Sequence, residues 1–152
     1  MSVRTPDPTE IRPLLTDLIG RECEPTRKIT FAKPDSIANY LAVFAGDDDA
    51  PLMLAGGDAA FAHLSGAALA LVPLETAQSA IDTETDDEDL LENYREILNV
   101  VTRAINDQGG AHVRLIPGDS PLPDPLPATS GGHEYSITIE GYGEGKMFFW
   151  TV

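Results

Sequence analysis

Apolar positions along the chain fall into short periodic runs separated by glycine, proline and acidic stretches. The longest run is Thr85 to Asn106, TDDEDLLENYREILNVVTRAIN. With Glu92 at zero and about 100° per residue, Leu90, Tyr94, Ile97, Leu98, Val101, Ala104 and Ile105 gather on one side. Glu92, Glu96, Asn99, Arg103 and Asn106 gather on the other. That is an amphipathic helix over residues 86–106, its apolar stripe set to pack on a sheet. Its polar stripe is either a solvated face or a tool presented to a partner.

Earlier runs predict further elements. Ile11, Leu14, Leu15, Leu18 and Ile19 have helical spacing, with Thr9 as cap, Pro13 in the first turn and Gly20 as terminator. Pro25–Phe31, Ile37–Phe44 and Pro51–Ala55 have strand composition, the last two joined by a Gly46-Asp47-Asp48-Asp49 turn. Gly56-Gly57 breaks the third strand, and Asp58 caps an alanine-rich helix over Ala59–Leu71. Phe61, Leu64, Ala68 and Leu71 share one face of that helix, with His63 near the border. Pro73 ends it, and Leu74–Ala80 is a further short helix or turn.

After the long helix, Asp107-Gln108-Gly109-Gly110 is a stop. Ala111–Ile116 alternates as a strand with His112 and Arg114 on its outer face. Pro117–Gly132 holds five prolines, which excludes a helix or a central strand. It is a long loop, an extended edge or a binding lid. Residues 133–152 form a hairpin, with Gly143-Glu144-Gly145 as its turn. The sum is an α/β fold of the α+β kind: a mostly antiparallel sheet of about six strands, covered by two or three helices. Residues 1–8 form a flexible tail and 9–152 one domain.

Charge narrows the partners. The chain has 25 acidic and 10 basic residues, net -15. That excludes a phosphate-neutralising nucleic-acid face and docking on anionic lipid. One cysteine, Cys23, cannot form an internal disulfide, which favours a reducing cytoplasm. The first ten residues lack the apolar core of a signal peptide, and no apolar run nears the about 18 residues of a membrane span. Seven acids lie between Asp82 and Glu92; a Thr85–Glu88 capping box and the helix dipole account for most of them. Neither they nor Asp47-Asp48-Asp49 have calcium-loop spacing. The chain has no Gly-x-Ser-x-Gly, HExxH, CxxC or phosphate loop, and three histidines with one cysteine give no intrinsic metal or haem site.

The polar stripe adds a motif. Glu92-x-x-x-Glu96-x-x-Asn99, then 21 residues, then Pro121, resembles the signature of the CheC/CheX chemotaxis phosphatase family. That signature is Asp or Ser, three residues, Glu, two residues, Asn, about 21 residues, Pro. Glu96, Asn99 and Pro121 match by type and spacing; Glu92 departs. The element order is similar over nearly the whole chain. The flagellar switch proteins FliM and FliN share the family's fold without always keeping its signature. CheC-type members carry a second signature helix near the N-terminus; the first helix here offers only Asp17-Leu18-Ile19-Gly20. The resemblance is therefore to the single-site, CheX-like arrangement.

That resemblance implies a hydrolase of two-component signalling, acting on the aspartyl phosphate of a CheY-like response-regulator receiver domain. Asn99 would orient the attacking water and Glu96 would pair with the receiver's active-site lysine. Glu92, Arg103 and Pro121 would lie at the partner contact. No cofactor would be intrinsic, Mg²⁺ being supplied by the receiver, and the chain would form a homodimer. The alternative is a non-catalytic CheC-like adaptor in a signalling assembly, which Glu92 favours.

Overall fold

The computed structural model describes residues 3–107, 109–116 and 121–152. Met1 and Ser2 of the expected tail, Gln108 of the expected stop and residues 117–120 of the proline-rich stretch lie outside them. Helix α1 spans Pro8–Ile19, followed by strand β1 at Cys23–Ile29, a 3-10 helix at Pro34–Tyr40, β2 at Leu41–Ala45 and β3 at Pro51–Gly57. Helices α2 (Ala59–Leu69), α3 (Leu74–Asp82) and α4 (Glu88–Asp107) come next, then β4 (Arg114–Leu115), β5 (Gly131–Ile139) and β6 (Gly143–Thr151). The six strands form one antiparallel sheet in the order β1-β5-β6-β3-β2-β4. Four α-helices and a 3-10 helix accompany it among the described residues, more than the two or three expected.

The helix nearest the sheet is α2, not the long one. Every residue from Phe61 to Ala68 is buried. A helix buried all round needs small side chains, and alanine, serine and glycine supply them. Its backbone is approached closely on two sides. A Cβ on Gly66 would lie 2.1 Å from the Leu90 carbonyl oxygen of α4. A Cβ on Gly145 of β6 would lie 2.4 Å from the Phe61 Cα. Only glycine permits either contact. So α4 packs chiefly on α2 and α1, rather than directly on the sheet as its stripe suggested. The stripe itself is as expected: Leu90, Tyr94, Ile97, Leu98, Val101, Ala104 and Ile105 are buried.

Sheet residues alternate between two covered faces. Cys23, Met53, Tyr135, Ile137, Met147 and Phe149 join the main core under the helices. Val43, Leu54, Phe148 and Trp150 face the other way, under Ile37 of the 3-10 helix and Leu122 of the proline-rich stretch. Burial on both faces explains the unbroken apolar run Met147–Trp150 in β6.

Several boundaries differ from the expectation for local reasons. The 3-10 helix replaces the first half of the expected strand Ile37–Phe44, because Pro34 fixes a helical φ at its start. β1 begins two residues earlier than expected and ends at Ile29, leaving Phe31 93% exposed. Gly56-Gly57 continues β3 instead of ending it, since both residues pair with β6. The hairpin turn falls at residues 140–142, where the Tyr142 N–H bonds to the Ile139 carbonyl 2.9 Å away. Gly143–Gly145 is already strand, and Gly145 is needed there by α2. Asp7, not Thr9, stands at the α1 cap, while Gly20 closes the helix at φ 78° as expected. Leu71, expected on the apolar face of α2, lies beyond its end and is 73% exposed. The expected strand Ala111–Ile116 shrinks to two residues on the sheet edge. Residues 3–7, read from the sequence as tail, are held at several points. Val3 is buried, the Tyr135 hydroxyl donates to the Pro6 carbonyl, and Asp7 pairs with Arg27 at 2.8 Å.

One hydroxyl ties α4 to two other elements. The Gly57 N–H donates to Tyr94 Oη at 2.7 Å, and that hydroxyl donates to the Tyr40 carbonyl at 2.7 Å. Tyr94→Phe keeps the ring but strands a buried amide and a carbonyl, so it should cost about 1–3 kcal/mol. The measure is the shift in the urea unfolding midpoint at unchanged m-value.

Burial also makes the fold alkali-sensitive. It holds the Cys23 thiol at about 11, against 9.0 for a free thiol, and raises the Tyr94 phenol above its ordinary 10.0. Above pH 9 the unfolded chain therefore loses protons that the folded chain keeps, and stability falls. Thermal unfolding should show Tm declining between pH 9 and 11, with Cys23→Ala flattening the lower part of that decline.

Candidate functional site: the outer face of the long helix

The site is built on α4, whose start is fixed by residues outside it. The Asp87 carboxylate accepts from the Leu90 N–H at 3.2 Å, so Asp87 is the cap. The expected Thr85–Glu88 capping box does not form; Thr85 bonds back to the Thr83 carbonyl. His63, expected near a border, is 1% exposed. Its Nε2 accepts from the Asp87 N–H at 3.2 Å, and its Nδ1 lies 2.9 Å from the Ala59 carbonyl. Both contacts are satisfied by the neutral ring protonated on Nδ1. At the other end of the helix, Asn106 bonds both the N–H and the C=O of Val113 at 2.8 Å. Asn106 is thereby removed from the polar stripe and becomes a clamp on the chain entering β4.

Glu92, Glu96, Asn99 and Arg103 remain, and all four are exposed. None makes a side-chain hydrogen bond or ion pair with another described residue. Asn99 also lines a groove of about 590 Å³ between α4, the β2 edge and the proline-rich stretch. Pro121, from the proline-rich stretch, lines the same groove. Two members of the spaced motif, 22 positions apart in sequence, thus share one surface feature. Glu92, Glu96 and Arg103 lie outside its lining, Glu96 one turn before Asn99.

Sequence reading missed two contributors to this groove. Arg95 stands one turn before Asn99 and lines the groove with it. Only its position on the flank of the stripe, about 60° from Glu92 at the helical step, could have signalled this. Tyr40 lines it from the 3-10 helix and donates to the Asp86 carboxylate at 2.7 Å. Burial, then that carboxylate, pushes the Tyr40 phenol up to about 12, so it remains a neutral donor. The acids of residues 82–92 do not converge on an ion: among the described residues no group of three His, Cys, Asp or Glu is placed to hold a metal. Among those residues, too, no helix is long and apolar enough to cross a membrane.

No family model matches the chain, and no curated protein matches it in sequence. Solved structures do match. A chain in the FliM–SpeE complex from H. pylori superposes with a TM-score of 0.60 at 8% identity, over 95% of this chain and 80% of that one. FliY from Thermotoga maritima gives 0.53 at 11% identity, over 93% and 82%. The chemotaxis protein CheX from Vibrio vulnificus gives 0.51 at 14% identity, over 93% of each chain. The chain has a CheC/CheX-like fold. At these identities the likeness is one of fold, so activity must be argued from the helix face. Within the CheC/CheX-like fold that face is separable from stability, because Glu96 and Asn99 are exposed and make no side-chain hydrogen bond or ion pair with another described residue. Glu96→Ala and Asn99→Ala should each leave the unfolding free energy within about 0.5 kcal/mol of the parent, measured by urea denaturation.

Proposed function

We propose that the chain is a phosphatase for the aspartyl phosphate of a response-regulator receiver domain. The observation that carries this reading is the exposed, unengaged Glu96–Asn99 pair on adjacent turns, with Asn99 sharing a groove with Pro121. A substrate that is itself a folded protein requires a solvent-accessible site, and the exposed face of α4 supplies one. The Asn99 carboxamide can donate to and accept from a water without carrying charge, so it can hold that water in line with phosphorus without repelling the phosphoryl group. Attack forms the water oxygen–phosphorus bond and breaks the phosphorus–aspartyl oxygen bond. Inorganic phosphate and a free carboxylate result, and both protons of the water leave with the phosphate as H2PO4−. Phosphoryl transfer of this kind depends mostly on positioning and electrostatics. Glu96, one turn away, pairs with the receiver's lysine and sets the docking register. The receiver supplies its own Mg²⁺.

Mixing the protein with phosphorylated receivers of its source organism should accelerate phosphate release. Asn99→Ala should slow the accelerated reaction about a hundredfold, and Glu96→Ala should act mainly through KM. Full activity in Asn99→Ala, or no acceleration with any receiver, overturns the proposal. A stable complex indifferent to phosphorylation and to Asn99→Ala would instead make the chain a binding module, the reading favoured by Glu92 where the family signature has Asp or Ser.

A further inference from the structure

We infer that Arg95 is a second positioning residue of this site, the cation that draws the phosphorylated partner onto the groove and holds it over Asn99. The inference rests on the phosphatase reading above. Arg95 and Asn99 are four residues apart and line the same groove, so whatever reaches one lies beside the other. Arg95 is exposed and makes no side-chain hydrogen bond or ion pair with another described residue. Most of the chain's cations are not so placed. Arg4 pairs with Asp7 and Glu10, Arg12 with Glu22 and Glu24, Arg27 with Asp7, Lys28 and Lys146 with Glu134, and Arg114 with Asp49. Among the described residues Asp49 is the acid that lines the groove, and Arg114 already engages it. Among the described residues, Arg95 is therefore the groove's uncompensated charge.

The need for such a charge follows from the chain's own balance. A protein of net charge -15 repels an anionic surface, and that repulsion extends over a Debye length of about 8 Å in physiological salt. A phosphoryl group beside carboxylates is such a surface. A guanidinium lining the groove reverses the field locally, and a point charge there is enough to do so. Neutral Asn99 cannot do this, and Glu96 acts in the opposite sense.

The test follows dephosphorylation of a receiver at low and high NaCl, by the parent and three variants. Arg95→Glu should raise KM about tenfold with little change in kcat and flatten its salt dependence. Arg95→Lys should recover most of the loss, since charge rather than shape is the main requirement. Lys33→Glu makes the same change in net charge at an exposed residue outside the groove lining, and should leave KM within about twofold. If the parent accelerates hydrolysis but Arg95→Glu leaves KM and its salt dependence unchanged, the role of Arg95 falls and the phosphatase reading stands. If Lys33→Glu has an equal effect, net charge is responsible and Arg95 has no special place. If the parent gives no acceleration, both readings fall together. Unfolding midpoints equal to the parent's show that the variants report on docking and not on folding.

Discussion

The structure depends on how closely α2 is allowed to approach its neighbours. Its backbone lies against α4 at Gly66 and against β6 at Gly145, at separations that exclude even a methyl group. Those two contacts fix the distance between the sheet and the long helix. The layer is thin, so the Tyr94 hydroxyl on α4 can reach past α2 to the end of β3 and the 3-10 helix. Were α2 a helix of ordinary bulk, α4 would ride higher. The groove between α4 and the β2 edge would then have a different shape.

This constraint also explains what could and could not be read beforehand. The α4 stripe was legible because an amphipathic helix writes its packing into a period, and every predicted inward residue is buried. The six-strand antiparallel sheet followed from strand composition and spacing. What faced the stripe was not legible, since periodicity gives the direction of burial and not the identity of the neighbour. Glycine was the main source of error. Gly56, Gly57, Gly143 and Gly145 read as breaks or turns on propensity, yet all four lie inside strands. Gly145 is there to let a helix backbone in, a requirement set by a residue 84 positions away, Phe61. The capping box failed similarly: Thr85 and Glu88 had the right spacing, but His63, on another helix, fixed the start at Asp87.

The candidate site was legible in its residues and not in its surroundings. Glu96 and Asn99 followed from the wheel and the spaced motif, and both stand exposed. That Pro121 would return to Asn99 across a groove depended on the path of the chain after β4, which no local pattern records. Arg95 belongs to the same class of miss. It sits beside the motif in sequence but matters through the groove. Asn106 errs the other way, placed on the polar stripe by periodicity yet committed to Val113 by its side chain. One polar stripe thus holds both a structural clamp and a free face, distinguished only by their bonds.

Three prolines line the groove: Pro51, Pro121 and Pro123. Each lacks an amide hydrogen. Sites that bind anions through the main chain rely on converging backbone N–H groups, and at these positions the walls have none to give. A charged ligand at these positions would meet side chains only, and a single codon change can replace a side chain. Were the groove a docking site, its preference for a partner would change or invert with its side chains while its backbone stayed as it is.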